Sequence, residues 1–548
     1  MTIFLRPESI KSCKLIKLQA LLAIMTGWLL LVLSAPPAFA SVAEQFAICT
    51  RGISLGNAVT ASPPGVFSIH YNPAGLIKLR GKELELGALL PNFNVSQQWS
   101  KPDSYTAFFG QGDDPVAGSS STSEGMVISL PFNGPVSNVS FAPYTGMGYH
   151  PVGKKWAVGL AMYAPMAVGM ENPAGPATYG AQMMHLSRVV VGPGIAYQVN
   201  DTLSLGASIG LGFSSMGVRM QMRAPNDMVA LTGTLGELTE DIDESLFLGL
   251  IPLPLFGGGM YAFDDMGTMH AERLEDNFSP GFNVGMLWEP RDWFSVGLCY
   301  QSEVKQELSG HFTLEYSQKF QNMMDWLVAN DLIRIFTESL GLPTEGGLAY
   351  QSGRGSVEMI QPRHIQGGIM IRPFKRLKLT ADLQWTQWST MESNIFEFDY
   401  DLQVLKLAEL LGYQYGTRTI VFERHMIDTL HACFGLEFAA TPWLDLRLGY
   451  EDRPTSVREE YRDAMMVLPD MKILSGGFGL KLTRNATLDM GVGLIMAEDI
   501  EMDYDNGGRS RNLNTRELTA LIYNPYAHLN YYQQTTGMFI SMGLRYNW

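Results

Sequence analysis

Long apolar runs are missing from this chain beyond its extreme N-terminus. That excludes a bundle of membrane-spanning helices, each of which needs roughly 20 consecutive apolar residues. Charge is scarce as well, at 17% against 46% hydrophobic residues, a balance that excludes a disordered chain. Of the four cysteines, Cys13 precedes the N-terminal apolar run, while Cys49, Cys299 and Cys433 lie far apart and are odd in number. Neither a disulfide framework nor a CxxC metal site follows from them. Catalytic signatures are scarce too: there is no His-Glu-x-x-His and no phosphate loop, and the nine histidines assemble no nucleophile-base-orienter set by spacing. Asp503-Tyr504-Asp505-Asn506-Gly507-Gly508 begins like a calcium loop but has Gly507 at a ligand position and Asn514 where the closing Glu belongs, so it reads as a turn. The expectation is a protein that is not an enzyme and has no metal site and no cofactor.

The N-terminus sets the compartment. Arg6, Lys11, Lys14 and Lys17 precede an apolar stretch from Leu18 to Leu33, followed by Pro36-Pro37 and the small-x-small triplet Ala38-Phe39-Ala40. This predicts a secretory signal over 1–40, cleaved before Ser41, with an uncleaved anchor as the alternative. Its removal takes away four basic residues and one acidic residue, leaving 35 Lys and Arg against 53 Asp and Glu, a net of −18. So acidic a balance argues against a nucleic-acid partner.

From Lys82 onward the chain alternates with period two. In one strand Leu203, Leu205, Ala207, Ile209, Leu211 and Phe213 alternate with Ser204, Gly206, Ser208, Gly210 and Gly212. In another, Leu377, Leu379, Ala381, Leu383 and Trp385 alternate with Lys378, Thr380, Asp382 and Gln384. Such strands face two different solvents. A β-sandwich alternates too, but with shorter strands and a turn about every 8–12 residues. Here tight connections near 152–155, 200–201, 290–292, 373–376, 441–442 and 484–485 interleave with long loops near 99–125, 170–183, 223–276, 316–358, 395–424, 453–469 and 501–533. Six short turns and seven long loops give fourteen strands. The predicted fold is all-β: a transmembrane antiparallel barrel over 82–548, with short periplasmic turns and long extracellular loops, in a bacterial outer membrane. The last strand agrees, since Met538, Ile540, Met542, Leu544, Tyr546 and Trp548 form its apolar parity and end on an aromatic suited to the membrane interface.

Residues 41–81 do not alternate; they are rich in small residues, glycine and proline. Fourteen strands enclose a channel unless something fills it, so an ordered stretch ahead of them predicts a plug. It carries two motifs, Gly56-Asn57-Ala58-Val59-Thr60-Ala61 and Asn72-Pro73-Ala74. In these, and in Gly194 to Gly206 with its turn at Asn200-Asp201, the chain resembles the FadL/TodX family of outer-membrane transporters for hydrophobic compounds, over essentially the whole mature length. The resemblance implies an N-terminal hatch over 41–81 in which Asn72, Pro73 and Ala74 form the second motif. The acidic pair often found between the two motifs is replaced here by Ser62-Pro63-Pro64-Gly65.

The resemblance also implies a kinked third strand that opens the wall sideways, and Tyr163, Pro165 and Met166 look like that place. On physical grounds alone, Pro165 interrupts a ladder because proline cannot donate, or it simply ends a strand. The segment holding Leu246, Phe247, Leu250, Ile251, Leu253, Leu255 and Phe256 is greasy for an outer loop, and either captures hydrophobic ligand or forms a loop core. Phe320, Met323, Met324, Leu327 and Val328, then Leu332, Ile335 and Phe336, have one-face helical spacing, as do Leu402, Leu405 and Leu410. By parity Arg188, Lys378, Asp382, His431, Glu437, Arg447, Lys481 and Arg545 face the lumen, where most would hold the plug. Arg188 is the candidate partner for a ligand carboxylate, because a guanidinium binds one with two parallel hydrogen bonds. Against fatty acids, residues 225–276 hold eleven acidic residues and one basic, Arg273, which tilts toward neutral hydrocarbons or toward a cation-bridged contact with lipopolysaccharide. The expected function is passive uptake of hydrophobic molecules, long-chain fatty acids or hydrocarbons, in contact with outer-membrane lipid and lipopolysaccharide. The aromatic terminal strand would be recognised by the barrel assembly machinery. The alternative is a less selective porin or a structural barrel.

Overall fold

The computed structural model of the chain describes residues 47–548 apart from 110, 124–126, 131–133, 138–141, 244–249, 343, 411, 466 and 517–523. The expected signal over 1–40, the first residues of the expected hatch, and Leu246 and Phe247 lie outside the described residues.

Fourteen antiparallel strands form one closed wall. They are β1 (Gly81–Ser100), β2 (Ala142–His150), β3 (Trp156–Glu171), β4 (Met183–Gln198), β5 (Leu203–Arg223), β6 (Asp265–Arg291) and β7 (Phe294–Gln301 and Val304–Tyr316). Next come β8 (Tyr350–Gln361 and His364–Phe374), β9 (Leu377–Thr386 and Ser393–Phe398) and β10 (Thr419–Glu423 and Thr429–Thr441). The wall finishes with β11 (Leu444–Arg453), β12 (Met471–Lys481), β13 (Ala486–Ala497) and β14 (Asn530–Asn547). Each strand pairs with the next, and β14 returns to β1 in an unbroken register from Leu84↔Tyr546 to Ser100↔Asn530. Closure leaves no unpaired sheet edge in hydrocarbon, the condition for a sheet to cross a bilayer.

The alternation sorts side chains as the two solvents require. Leu205, Ile209 and Leu211 of β5, and Ile540, Met542 and Leu544 of β14, are exposed, whereas Ser204, Ser208 and Ser541 between them are buried. Near the short turns the exposed face becomes aromatic, with Trp156, Tyr197, Trp288, Trp443 and Trp548, where an amphipathic ring meets both lipid and water. Most lumen-facing charges are paired: Arg447 lies 3.1 Å from Glu437 and 2.6 Å from Asp489, and Arg545 lies 3.3 Å from Asp489. On the lipid face each such charge would cost roughly 2–4 kcal/mol at mid-depth. Lys481 shares the inward parity of Ser475 and Gly479 but is half-exposed beside Asp445 at 3.9 Å, where the strand reaches its short turn.

The described part of the N-terminal segment, from residue 47 to β1, packs on the inner face of this wall, where Val59, Val66, Phe67, Ile69 and Leu76 share an apolar cluster with Tyr144, Tyr163 and Val190. Two inward glycines show why the lumenal parity is so small. A Cβ at Gly206 would collide with Pro73 and Ala74, and one at Gly297 with the Thr60 carbonyl. Toward the long loops a second cluster fills the barrel, including Val218, Met220, Met269, Leu308, Phe312 and Phe396.

Candidate ligand path through the barrel

The N-terminal segment has only short helical turns, at Thr50–Ser54, Gly65–Phe67, Ser68–Tyr71 and Pro73–Lys78, so most of its backbone groups need partners elsewhere. The wall supplies them. Asp382 accepts from the Thr60 amide and Glu83 from the Val66 amide, each at 2.7 Å. Ser295 donates to the Ala61 carbonyl and Ser208 to the Ile69 carbonyl, also at 2.7 Å. Gln301 reaches the His70 carbonyl at 3.0 Å, and Gln366 reaches that of Tyr71.

Both sequence motifs are part of this bracing. Asn72, completely buried, donates to the Thr60 and Met286 carbonyls at 2.9 Å each and accepts from the Ala74 amide at 3.2 Å, capping a turn in which Pro73 takes the first position. Asn57 donates to Glu451 at 3.1 Å. Arg51 adds an ion pair to Glu437 at 3.3 Å, and Lys378 shares that carboxylate.

The third strand is irregular at the expected proline. Tyr163 pairs with Val190 and Met166 with Arg188, so Ala164 and Pro165 stand opposite Val189 alone, a β-bulge. On its other side β3 pairs with β2 only between Val158↔Tyr149 and Met162↔Thr145; among the described residues nothing continues that ladder beyond Tyr163. A pocket lies in the wall here, lined by Leu89, Pro91, Pro165, Met166, Phe539 and Ala47, the first described residue of the N-terminal segment. Ala47 and Met166 also line a lumenal cavity, with Asn57, His70, Gln301, His364, Gln384 and Arg453. These two residues therefore border both the side pocket and the lumenal cavity.

Nearer the long loops lies an apolar pocket walled by Val218, Met220, Met222, Met266, Met269, Phe396, Phe422 and Met465, with Val404 and Leu405 from the loop helix Gln403–Leu410. Sequence reasoning missed it. The available signal was a change in which parity of β5 is apolar: the large residues are odd-numbered through Leu211 but even-numbered at Met216, Val218, Met220 and Met222, beyond the register shift at Gly212/Ser214. Above that shift the inward face becomes apolar. Methionine, unbranched and polarizable, lines a space that must fit varied shapes.

Of the loop residues expected to capture ligand, Leu250 is exposed and Ile251, Leu253, Leu255 and Phe256 are half-buried. They rest on the helix Gln318–Trp326: Trp326 donates to the Pro252 carbonyl at 2.8 Å, and its ring lies 4.9 Å from that of Phe256. The two helical stretches of this loop do not share one face. Phe320, Met324 and Leu327 are buried, but the chain restarts at Asn330, whose side chain caps a new helix, Asp331–Ser339, and this helix turns Leu332, Ile335 and Phe336 outward. Arg188 is enclosed in the wall: its Nη atoms donate to the Ser214 hydroxyl at 3.1 Å and to the Ser279 hydroxyl and carbonyl at 2.5 and 2.7 Å. It lines neither the apolar pocket nor the lumenal cavity.

A closed fourteen-stranded barrel, with its own N-terminal segment packed on the inner face and an apolar cluster toward the long loops, has the build of an outer-membrane barrel. Residues 29–547 match the family model of outer membrane protein transport proteins (OMPP1/FadL/TodX), and the chain belongs to that family. The long-chain fatty acid transport proteins of Shigella flexneri and Escherichia coli O157:H7 are each 22% identical over 314 residues, a match covering 56% of this chain and 60% of each relative. Among solved structures, a Pseudomonas aeruginosa FadL homologue superposes with a TM-score of 0.65 at 16% identity, covering 92% of this chain and all of the other. The Pseudomonas putida toluene transporter TodX superposes with a TM-score of 0.58 at 14% identity, over 92% and 99% of the two chains. At these identities the superpositions establish the shared barrel.

Proposed function

We propose that this protein is a passive channel for uptake of hydrophobic molecules across the outer membrane, in which ligand is captured on the outer loops, held in the methionine-lined pocket and released sideways through the wall at Pro165. One observation carries the reading: Ala47 and Met166 border both the lumenal cavity and the wall pocket, so a ligand in the lumen lies next to a lateral exit. The N-terminal segment serves as the hatch. Its hydrogen bonds to six wall side chains favour a plug that stays in place while cargo leaves through the wall. Sideways release suits a hydrophobic cargo, which enters the membrane without dissolving in the periplasm. Binding needs no directional contact, since burial alone contributes about 25 cal/mol per Å² of apolar surface.

The relatives agree with this reading, being named for long-chain fatty acid transport and for toluene transport. The exposed residues Leu332, Ile335 and Phe336, with Leu250, supply the capture surface. The terminal Tyr546 and Trp548 suit recognition by the assembly machinery, and the acidic loop suits a cation-bridged contact with lipopolysaccharide.

The test is uptake of radiolabelled long-chain fatty acid and of toluene by cells carrying the intact protein or a variant with Ala164 deleted and Pro165→Val, which evens the residue count between β3 and β4. The expected result is uptake that depends on the protein and falls in the variant while the barrel still assembles. Unchanged uptake in an assembled variant would remove the lateral route. Entry of hydrophilic solutes instead of either compound would turn the assignment to a porin.

A further inference from the structure

Whether the arginines along the proposed path are open to a ligand decides what class of cargo it admits. Arg223 borders the apolar pocket and is 1% exposed. Its terminal nitrogens donate to both Asp114 carboxylate oxygens, at 2.8 and 2.9 Å, and its Nε donates to the Pro525 carbonyl at 2.7 Å. The Tyr179 ring covers its guanidinium at 4.6 Å. Every other residue lining that pocket is aliphatic, aromatic or methionine. In the lumenal cavity Arg453 is held in the same way, its Nε donating to Glu451 at 2.7 Å with both side chains about 2% exposed. Arg188, the cation singled out in the sequence, is bound to Ser214 and Ser279.

An entering carboxylate would lose its water and find, in both spaces, an arginine already engaged by a buried carboxylate of the protein. Displacing that partner gains nothing, because it strands a second buried anion. A hydrocarbon has no such group to satisfy. The connection between β5 and β6 has the same bias in sequence, with seven acidic residues and no Lys or Arg between 224 and 264.

We infer that the cargo is uncharged, an aromatic or aliphatic hydrocarbon or an ester, and that Asp114 determines this specificity by keeping Arg223 engaged. The inference rests on the uptake reading above. It is tested by binding of a matched pair of probes to the purified protein in detergent: a fluorescent polyene fatty acid, fully ionised, and its methyl ester, which has the same chain without the charge. The ester is expected to bind at least about tenfold tighter than the acid, since ionised carboxylate is costly to desolvate unpaired. Asp114→Asn removes the charge that engages Arg223 and is expected to raise the affinity for the acid relative to the ester, read as the ratio of the two affinities on the same folded preparation so that a general loss of stability cancels.

As a second measurement, needing no variant, naphthalene is expected to displace a bound neutral fluorophore and decanoate is not. If acid and ester bind the native protein equally, or decanoate displaces as well as naphthalene, the inference falls and the uptake reading stands. If neither probe binds, the uptake reading falls and takes the inference with it.

Discussion

The carboxamide nitrogen of Asn72 donates to the main-chain carbonyl of Met286 at 2.9 Å, fastening the N-terminal segment to β6. The same nitrogen reaches the Thr60 carbonyl at 2.9 Å, so one side chain ties the two sequence motifs together and to the wall. Asn72→Ala removes both bonds and the cap on Ala74, leaving buried carbonyls unsatisfied at about 1–3 kcal/mol apiece. Thermal unfolding in detergent should move to lower temperature, and cells should become more permeable to a large hydrophilic antibiotic as the segment loosens. Asn72→Asp should behave the same way, because an ionised carboxylate cannot donate. An Asp variant with native stability would show that donation from this side chain is dispensable.

Inward glycines should differ sharply from outward ones. Gly206→Ala places a methyl group against Pro73 and Ala74, both backbone neighbours that cannot move aside, so the segment must shift or the barrel must deform. Overpacking of this kind costs about 1–3 kcal/mol. Gly367→Ala, whose new methyl would find only the Leu298 side chain at 3.8 Å, should be tolerated. The fraction of barrel that keeps its folded mobility on an unheated gel, compared for the two variants, checks this directly.

Much of the barrel was legible in the sequence because membrane and lumen impose opposite demands on alternate residues. The parity of 203–211 and of the last strand is the parity of the structure, and the short turns fell where charged and turn-forming residues interrupt it. The bulge at Pro165 was legible for a simple reason: a missing donor is written in the residue type. The methionine pocket was not, because the inward, even-numbered positions of β5 change from small and polar below Ser214 to apolar above it, and because Val404, Leu405 and Met465 reach it from separate loops. Nothing in the strand that carries Arg188 reveals that Ser214 and Ser279, on two other strands, engage its guanidinium.

The buried pair of Arg223 and Asp114 joins the top of β5 to the first long loop and should be costly to break one partner at a time. Arg223→Met leaves the Asp114 carboxylate enclosed and unpaired, with an expected loss of about 3–5 kcal/mol. The double variant Arg223→Met, Asp114→Leu removes both charges and should recover most of that loss, since well-packed apolar replacements of buried ion pairs are often neutral. Midpoints of thermal unfolding for the two single variants and the double variant close the cycle. A double variant no more stable than the worse single one would mean that the pair's shape, and not its charge, holds the loops together.

The helix Asp331–Ser339 gives the cleanest separation between stability and uptake. Leu332, Ile335 and Phe336 are 51%, 63% and 61% exposed, so changing all three to serine removes little packing, and surface changes of this kind usually stay within about 0.5 kcal/mol each. If these side chains are where hydrophobic molecules first leave water, the triple variant should unfold at the native temperature yet take up its cargo more slowly when cargo is dilute. The deficit should shrink as cargo concentration rises, because a capture surface raises local concentration without changing the pocket or the exit. A variant that is slow at every concentration would place these residues on the path itself, and one that transports normally would leave capture to the Leu250–Phe256 segment.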